Sequence, residues 1–189
     1  MRIRTFLKAL LVVFALAFTA FGYSVIKMNS ESVTPVKALN PQSSGAKALI
    51  VYQQGLSDFQ TKVTESFAQS LVSSGWHVEI TTASKQTPAD LQGYSLLILG
   101  SPIYGGKAST PIQSYIGRLG SLKGLHVVTL LTGAGAGEEA KKVMTSQITE
   151  HGGVEVLSIV LYTWAPNEEQ YGSKDSVIIA AKAAQSLKQ

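Results

Sequence analysis

Apolar and polar positions follow three successive regimes along the chain. From Ala9 to Ile26, 18 consecutive residues carry no charge and are mainly Leu, Val, Phe and Ala. No polar residue alternates through this stretch to give a wet face, so it is not patterned as a buried core helix. Lys27 to Ala46 then turns polar, with Ser30, Ser32, Thr34, Pro35, Pro41, Ser43, Ser44 and Gly45, and reads as a flexible tether. From Lys47 onward, short apolar runs are separated by longer amphipathic ones, the pattern of a parallel sheet covered by crossover helices. Strands are predicted over 48–52, 78–82, 96–99, 125–132 and 154–161. Ala48 to Tyr52 and Leu96 to Leu99 are continuously apolar, as strands buried on both faces must be, whereas 78–82 alternates like an edge.

Between the strands the period changes. Val63, Phe67, Ala68, Leu71 and Val72 share one helical face that stops at Gly75, and Thr110 followed by Pro111 starts a second helix. Further helices are predicted over 138–151, stopped by Gly152-Gly153, and over 173–187. Strict alternation of five strands with four helices implies one α/β domain with an open, five-stranded parallel sheet and helices on both faces. The organisation read from the pattern is an amino-terminal segment at 1–27, a linker at 28–46 and the α/β domain at 47–189.

Charge refines the reading of the amino terminus. The chain has 189 residues and a net charge of +4, yet residues 43–189 hold 11 Lys/Arg and 11 Asp/Glu, so the positive excess lies wholly in the first 42 residues. That balance removes the case for nucleic-acid binding. An apolar run of this length lies between a secretory signal, about 7–15 residues, and a membrane span, roughly 17–25. Neither Phe18-Thr19-Ala20 nor Gly22-Tyr23-Ser24 makes a good small-x-small cleavage site, which favours an uncleaved membrane anchor over a cleaved signal. Arg2, Arg4 and Lys8 precede the run and Lys27 comes after it, placing the amino terminus in the cytoplasm and the domain beyond the membrane.

Candidate chemistry is confined to loops. The absence of cysteine removes thiolate catalysis, disulfides and Cys-based metal centres. His77, His126 and His151 have no ligand spacing with one another, and neither a Gly-x-Ser-x-Gly elbow nor a phosphate-binding lysine motif is present. In an open parallel sheet, ligands bind beyond the carboxyl ends of the strands. The loops there are Gln53–Thr61, Gly100–Ser109, Gly133–Gly137 and Tyr162–Gly172.

Gly100-Ser101-Pro102-Ile103-Tyr104-Gly105-Gly106-Lys107, with the strand order, resembles the flavodoxin-like group of FMN-binding proteins over roughly Lys47–Leu187. The resemblance implies sheet order 2-1-3-4-5 and a loop at Ser101, Pro102, Ile103, Tyr104, Gly105 and Gly106 that wraps the flavin ring, with Tyr104 on its face. It implies a second ring contact at Thr132, Gly133 and Gly135, although no aromatic residue lies in that loop. Tyr162 and Trp164 are the substitutes at hand. For the phosphate it implies the first loop, where Gln53, Gln54, Gly55, Ser57 and Thr61 offer hydroxyls and amides. That loop departs from the group's Ser/Thr-x-Thr-Gly-x-Thr pattern, and Asp58 is expected to cap the following helix with its carboxylate. The resemblance therefore implies a membrane-tethered FMN electron carrier, whose redox partner, a protein or a small-molecule acceptor, the neutral domain does not specify. Two alternatives stay open: a cofactor-free binding module outside the membrane, and an FMN-dependent quinone or NAD(P)H reductase.

Overall fold

The structure, a computed structural model, describes residues 2–135, 137–164, 167, 169 and 171–188. Ala136 of the glycine string and four residues of the fifth loop lie outside the described residues. Five long strands, β2 (Lys47–Tyr52), β3 (His77–Thr82), β4 (Leu96–Tyr104), β6 (His126–Gly133) and β7 (Val154–Tyr162), pair in parallel in the order β3-β2-β4-β6-β7. This is the 2-1-3-4-5 order. Two short strands extend the sheet antiparallel, β1 (Lys37–Ala38) on β3 and β5 (Lys107–Ala108) on β4.

Each central strand serves two cores because alternate side chains leave on opposite faces. Ala48 and Ile50 join Ile98, Val128 and Leu130 beneath α2 (Phe59–Ser73) and α5 (Ser176–Gln185). Leu49 and Val51 join Leu97, Leu99 and Leu131 beneath α3 (Thr110–Arg118) and α4 (Gly137–Glu150). The helices start and stop close to the expected positions. Pro111 lies in the first turn of α3, and Gly75 comes after α2 at φ +90°, where a residue with a side chain is strained.

β4 runs five residues past the apolar core that predicted it. Gly100, Ser101 and Pro102 remain paired with Leu130, Leu131 and Thr132, so the glycine-rich motif begins as strand rather than loop. Beyond it, Tyr104 and Lys107 face each other across Gly105 and Gly106, at φ +57° and +75°. Two consecutive residues with positive φ make the tight hairpin turn whose twist matches its strands, and glycine is the residue that adopts it without strain.

The amino-terminal helix α1 (Arg2–Asn29) contains a segment, Phe6–Asn29, whose most apolar 18-residue stretch has mean hydropathy 2.3, long and apolar enough to cross a membrane. The segment after α1 differs from the flexible tether expected for 28–46. Residues 30–46 form a strap laid antiparallel along β3. At the carboxyl end of β3, the Thr82 amide donates to Thr34 Oγ1 at 3.0 Å and the Thr82 hydroxyl to the Ser32 carbonyl. Lys37 and Ala38 pair with Ile80 and Glu79 in the middle. At the amino end, Asn40 receives the Val78 amide at 2.9 Å and donates to the Trp76 carbonyl at 2.6 Å. A composition of Ser, Thr, Asn and Pro suits a coil, but it equally suits a segment that satisfies an exposed sheet edge with side-chain hydrogen bonds. Asn40→Ala is therefore expected to destabilise the domain by about 1–2 kcal/mol, because two partly buried backbone groups lose their partner. A shift in the urea midpoint measures it, and an unchanged midpoint would show that the strap contributes nothing.

Candidate functional site

At the carboxyl edge, the end of β4 and the chain leaving β2, β6 and β7 enclose a cleft of about 300 Å³. The first loop supplies Gly55, Leu56 and Ser57, and the first turn of α2 supplies Phe59 and Gln60. Pro102, Ile103 and Tyr104 line it from the end of β4, beside Thr132, Gly133 and Ala134, and Thr163 and Trp164 complete the lining. Of the residues predicted for the site, the structure gathers Gly55, Ser57, Pro102, Ile103, Tyr104, Thr132 and Gly133 around this cleft. A larger groove of about 1100 Å³ lies at the amino edge, bordered by Trp76, Tyr94 and the loop before β6. Helix amino termini do not converge there.

The other predicted residues have different work or positions. The Gln53 side chain turns toward the strap, donating through Nε2 to the Ser30 carbonyl at 3.0 Å, and its Oε1 is buried with no partner among the described residues. Gln54 is exposed, and Thr61, half-buried, does not border the cleft. The Ser101 hydroxyl accepts the Ser109 amide at 2.8 Å and donates to the Pro102 carbonyl or the Ser109 hydroxyl, fixing the start of α3 to the end of β4. Gly105, Gly106 and Gly135 do not border the cleft.

Tyr104 ties two loops together. Its hydroxyl accepts the Leu56 amide at 3.0 Å, and a Cβ at Gly55, where φ is +72°, would stand 3.2 Å from that oxygen. Burial raises the Tyr104 phenol above its ordinary value, and the Leu56 amide offsets part of the rise. The phenol therefore stays protonated at neutral pH.

Asp58 corrects the expectation of a capping carboxylate. It occupies the position before α2 but makes no side-chain bond to the helix amides, and instead pairs with Lys62 at 2.7 Å in solvent. The hydrogen bond to Lys62 is the chief reason its carboxyl is held below the usual range. Among the described residues, the only side chain on the first helical amides is Ser57, whose hydroxyl receives Phe59 N–H at a long 3.4 Å. The amino terminus of α2 thus keeps its positive end largely unsatisfied beside the cleft.

Beneath the cleft is a polar floor that the sequence reading missed. Gln60, 2% exposed, accepts the Thr132 hydroxyl at 2.7 Å and donates to Thr64 Oγ1 at 3.0 Å. Its place was legible in the spacing. Gln60 stands three residues before Val63 and seven before Phe67, on the same buried stripe, and a polar residue there requires a buried partner.

The fifth loop is pinned by Asn167, which receives the Tyr162 amide at 2.8 Å and donates to Ser176 Oγ at 2.7 Å. Thr163 N–H donates to the Gly133 carbonyl at 2.9 Å, which brings Trp164 beside the fourth loop. Tyr162, the other aromatic substitute, does not border the cleft and points its hydroxyl toward Gly137.

The parallel order, the helices on both faces and a cleft at the point where the order reverses decide the architecture. The fold is flavodoxin-like. Solved structures agree with it: flavodoxin 2 from Bacillus cereus superposes with a TM-score of 0.61 at 20% identity, covering 74% of this chain and 95% of that one. An NAD(P)H:quinone oxidoreductase from Methanothermobacter marburgensis gives a TM-score of 0.61 at 14% identity over 77% and 98%. A flavodoxin from Streptococcus pneumoniae gives 0.60 at 16% identity over 74% and 96%. Neither a protein-family model nor a curated protein matches the sequence. The likeness lies in the architecture of the domain.

Proposed function

We propose that this chain is a membrane-anchored flavodoxin-like protein that binds FMN at the carboxyl edge and passes electrons to a partner. The observation that carries the reading is the pairing of an aromatic cleft with the unsatisfied amino terminus of α2 beside it. Those residues fit the cofactor's two ends. Tyr104 and Trp164 border a cleft of about 300 Å³ suited to part of a flat ring, and the α2 amides with Ser57 suit a phosphate. With Asp58 held by Lys62, its carboxylate does not occupy those amides. FMN, when bound, would supply one- or two-electron chemistry. This chain's residues would hold the ring, exclude water through Ile103 and Trp164, and keep the Tyr104 phenol neutral. As the proposed anchor, α1 runs unbroken to Asn29, past both weak cleavage sites.

The test is an FMN titration of the full-length protein in detergent. Flavin absorption bands with quenched fluorescence near equivalence are the expected result, and a protein that ignores FMN at high concentration would remove the redox reading. One observation favours the cofactor-free alternative: the Leu56 amide, a donor on the first loop, is already taken by Tyr104. Turnover with a nicotinamide donor and a small acceptor alone would move the reading from carrier to reductase.

A further inference from the structure

We propose that the carboxyl edge of the sheet rests on the lipid surface from which α1 emerges, with Leu56 and Trp164 as its apolar contacts. The path of the chain is the first argument. α1 ends at Asn29, whose Oδ1 accepts the Thr110 hydroxyl at 2.6 Å, and the next carbonyl, Ser30, accepts Gln53 Nε2 at 3.0 Å. Gln53 directly succeeds β2 and Thr110 opens α3, so both lie at the carboxyl edge. From Ser32 onward the strap leads away from that edge along β3, so no slack separates helix from domain. None of the membrane-length window of α1 is buried, so the helix projects from this edge rather than folding back over the domain.

Surface chemistry supplies the second argument. Trp164 is 85% exposed, more than any other large apolar side chain among the described residues, and Leu56 on the facing loop is 40% exposed. Water is a poor environment for an indole held in that way. The membrane–water interface is a favourable one, where an amphipathic ring sits at headgroup level. Of the charges at this edge, Lys107 is exposed on the hairpin, Asp58 is paired with Lys62 and the Glu31 carboxylate accepts the Lys85 amide, while Glu138 and Glu139 stand exposed in the first turn of α4, so the contact rests on Leu56 and Trp164 and not on charge. β6, with 8 residues, holds the amino edge roughly 25 Å farther from the lipid. The proposal rests on the anchor reading of α1. If FMN also binds as proposed, its cleft opens toward the bilayer.

The absence of cysteine makes the test clean. Full-length Lys107→Cys, at the carboxyl edge, and Ser121→Cys, in the loop before β6, are labelled with an environment-sensitive fluorophore. Each is reconstituted into phosphatidylcholine–phosphatidylglycerol vesicles containing nitroxide-labelled lipid. The expected result is several-fold stronger quenching at position 107 than at 121. Inserting about 20 Gly/Ser residues between Asn29 and Ser30, a coil spanning roughly 25 Å, should bring the two signals together. Equal quenching without the insertion, in protein that resists carbonate extraction, would overturn the docking and leave the anchor standing. Release of the protein by carbonate would overturn both.

Discussion

Gly100→Val is expected to lower the unfolding free energy by about 3 kcal/mol or more, roughly a 10 °C fall in midpoint temperature for a domain of this size. A Cβ at Gly100 would lie 2.8 Å from Tyr52 Cβ, 2.9 Å from Gln60 Nε2 and 3.1 Å from Thr64 Oγ1. None of these atoms has room to retreat, because Tyr52, Gln60 and Thr64 are all buried. The backbone cannot yield either, since Gly100 is registered with Tyr52 on one side and Leu130 on the other. The clash with Gln60 also strains its bond to Thr132 and disturbs the cleft floor. Gly100→Ala should show a smaller effect of the same sign in thermal melts, and wild-type midpoints for both would show that the close approach does not exist.

The second large effect is on affinity rather than stability. Trp164→Ala should weaken FMN binding roughly 10- to 100-fold, the loss expected when an aromatic stacking surface is removed. Because Trp164 is so exposed, the same change should leave the unfolding free energy within about 0.5 kcal/mol of wild type. Trp164→Phe should recover most of the affinity, since a smaller ring still offers a flat face. Fluorescence titration of the three proteins measures the series, and identical dissociation constants would exclude the fifth loop from the ring site.

Much of the domain was readable because buried parallel strands leave little choice. Ala48–Tyr52 and Leu96–Leu99 are apolar at every position, which only burial on both faces explains, and their order could be inferred from the motif after the third long strand. The strap was not readable. Its hydrogen bonds run through Ser32, Thr34 and Asn40, residues equally at home in a solvated coil, and only the neighbouring edge of β3 gives them a purpose. Among the predicted site residues, Tyr104 from the motif and Gly133 from the glycine string after the fourth predicted strand both border the cleft. Gln53 and Ser101 do not border it, because hydroxyls and amides near a ligand loop also serve the loop's own scaffold. Asp58 misled for a related reason: its position is that of a cap, but Lys62 one turn later competes for the carboxylate.

The strap also determines where the chain can be cut. A soluble version begun at Ser43, the natural choice if 28–46 were a spacer, would lose β1 together with Thr34 and Asn40. The full length of β3 would then offer unpaired amides and carbonyls to any passing strand, including its counterpart in a second copy. Such a fragment would self-associate through the newly opened edge, and its colour or colourlessness with FMN would report on an aggregate. Starting the soluble form at Ser30 removes the apolar helix and keeps the edge closed.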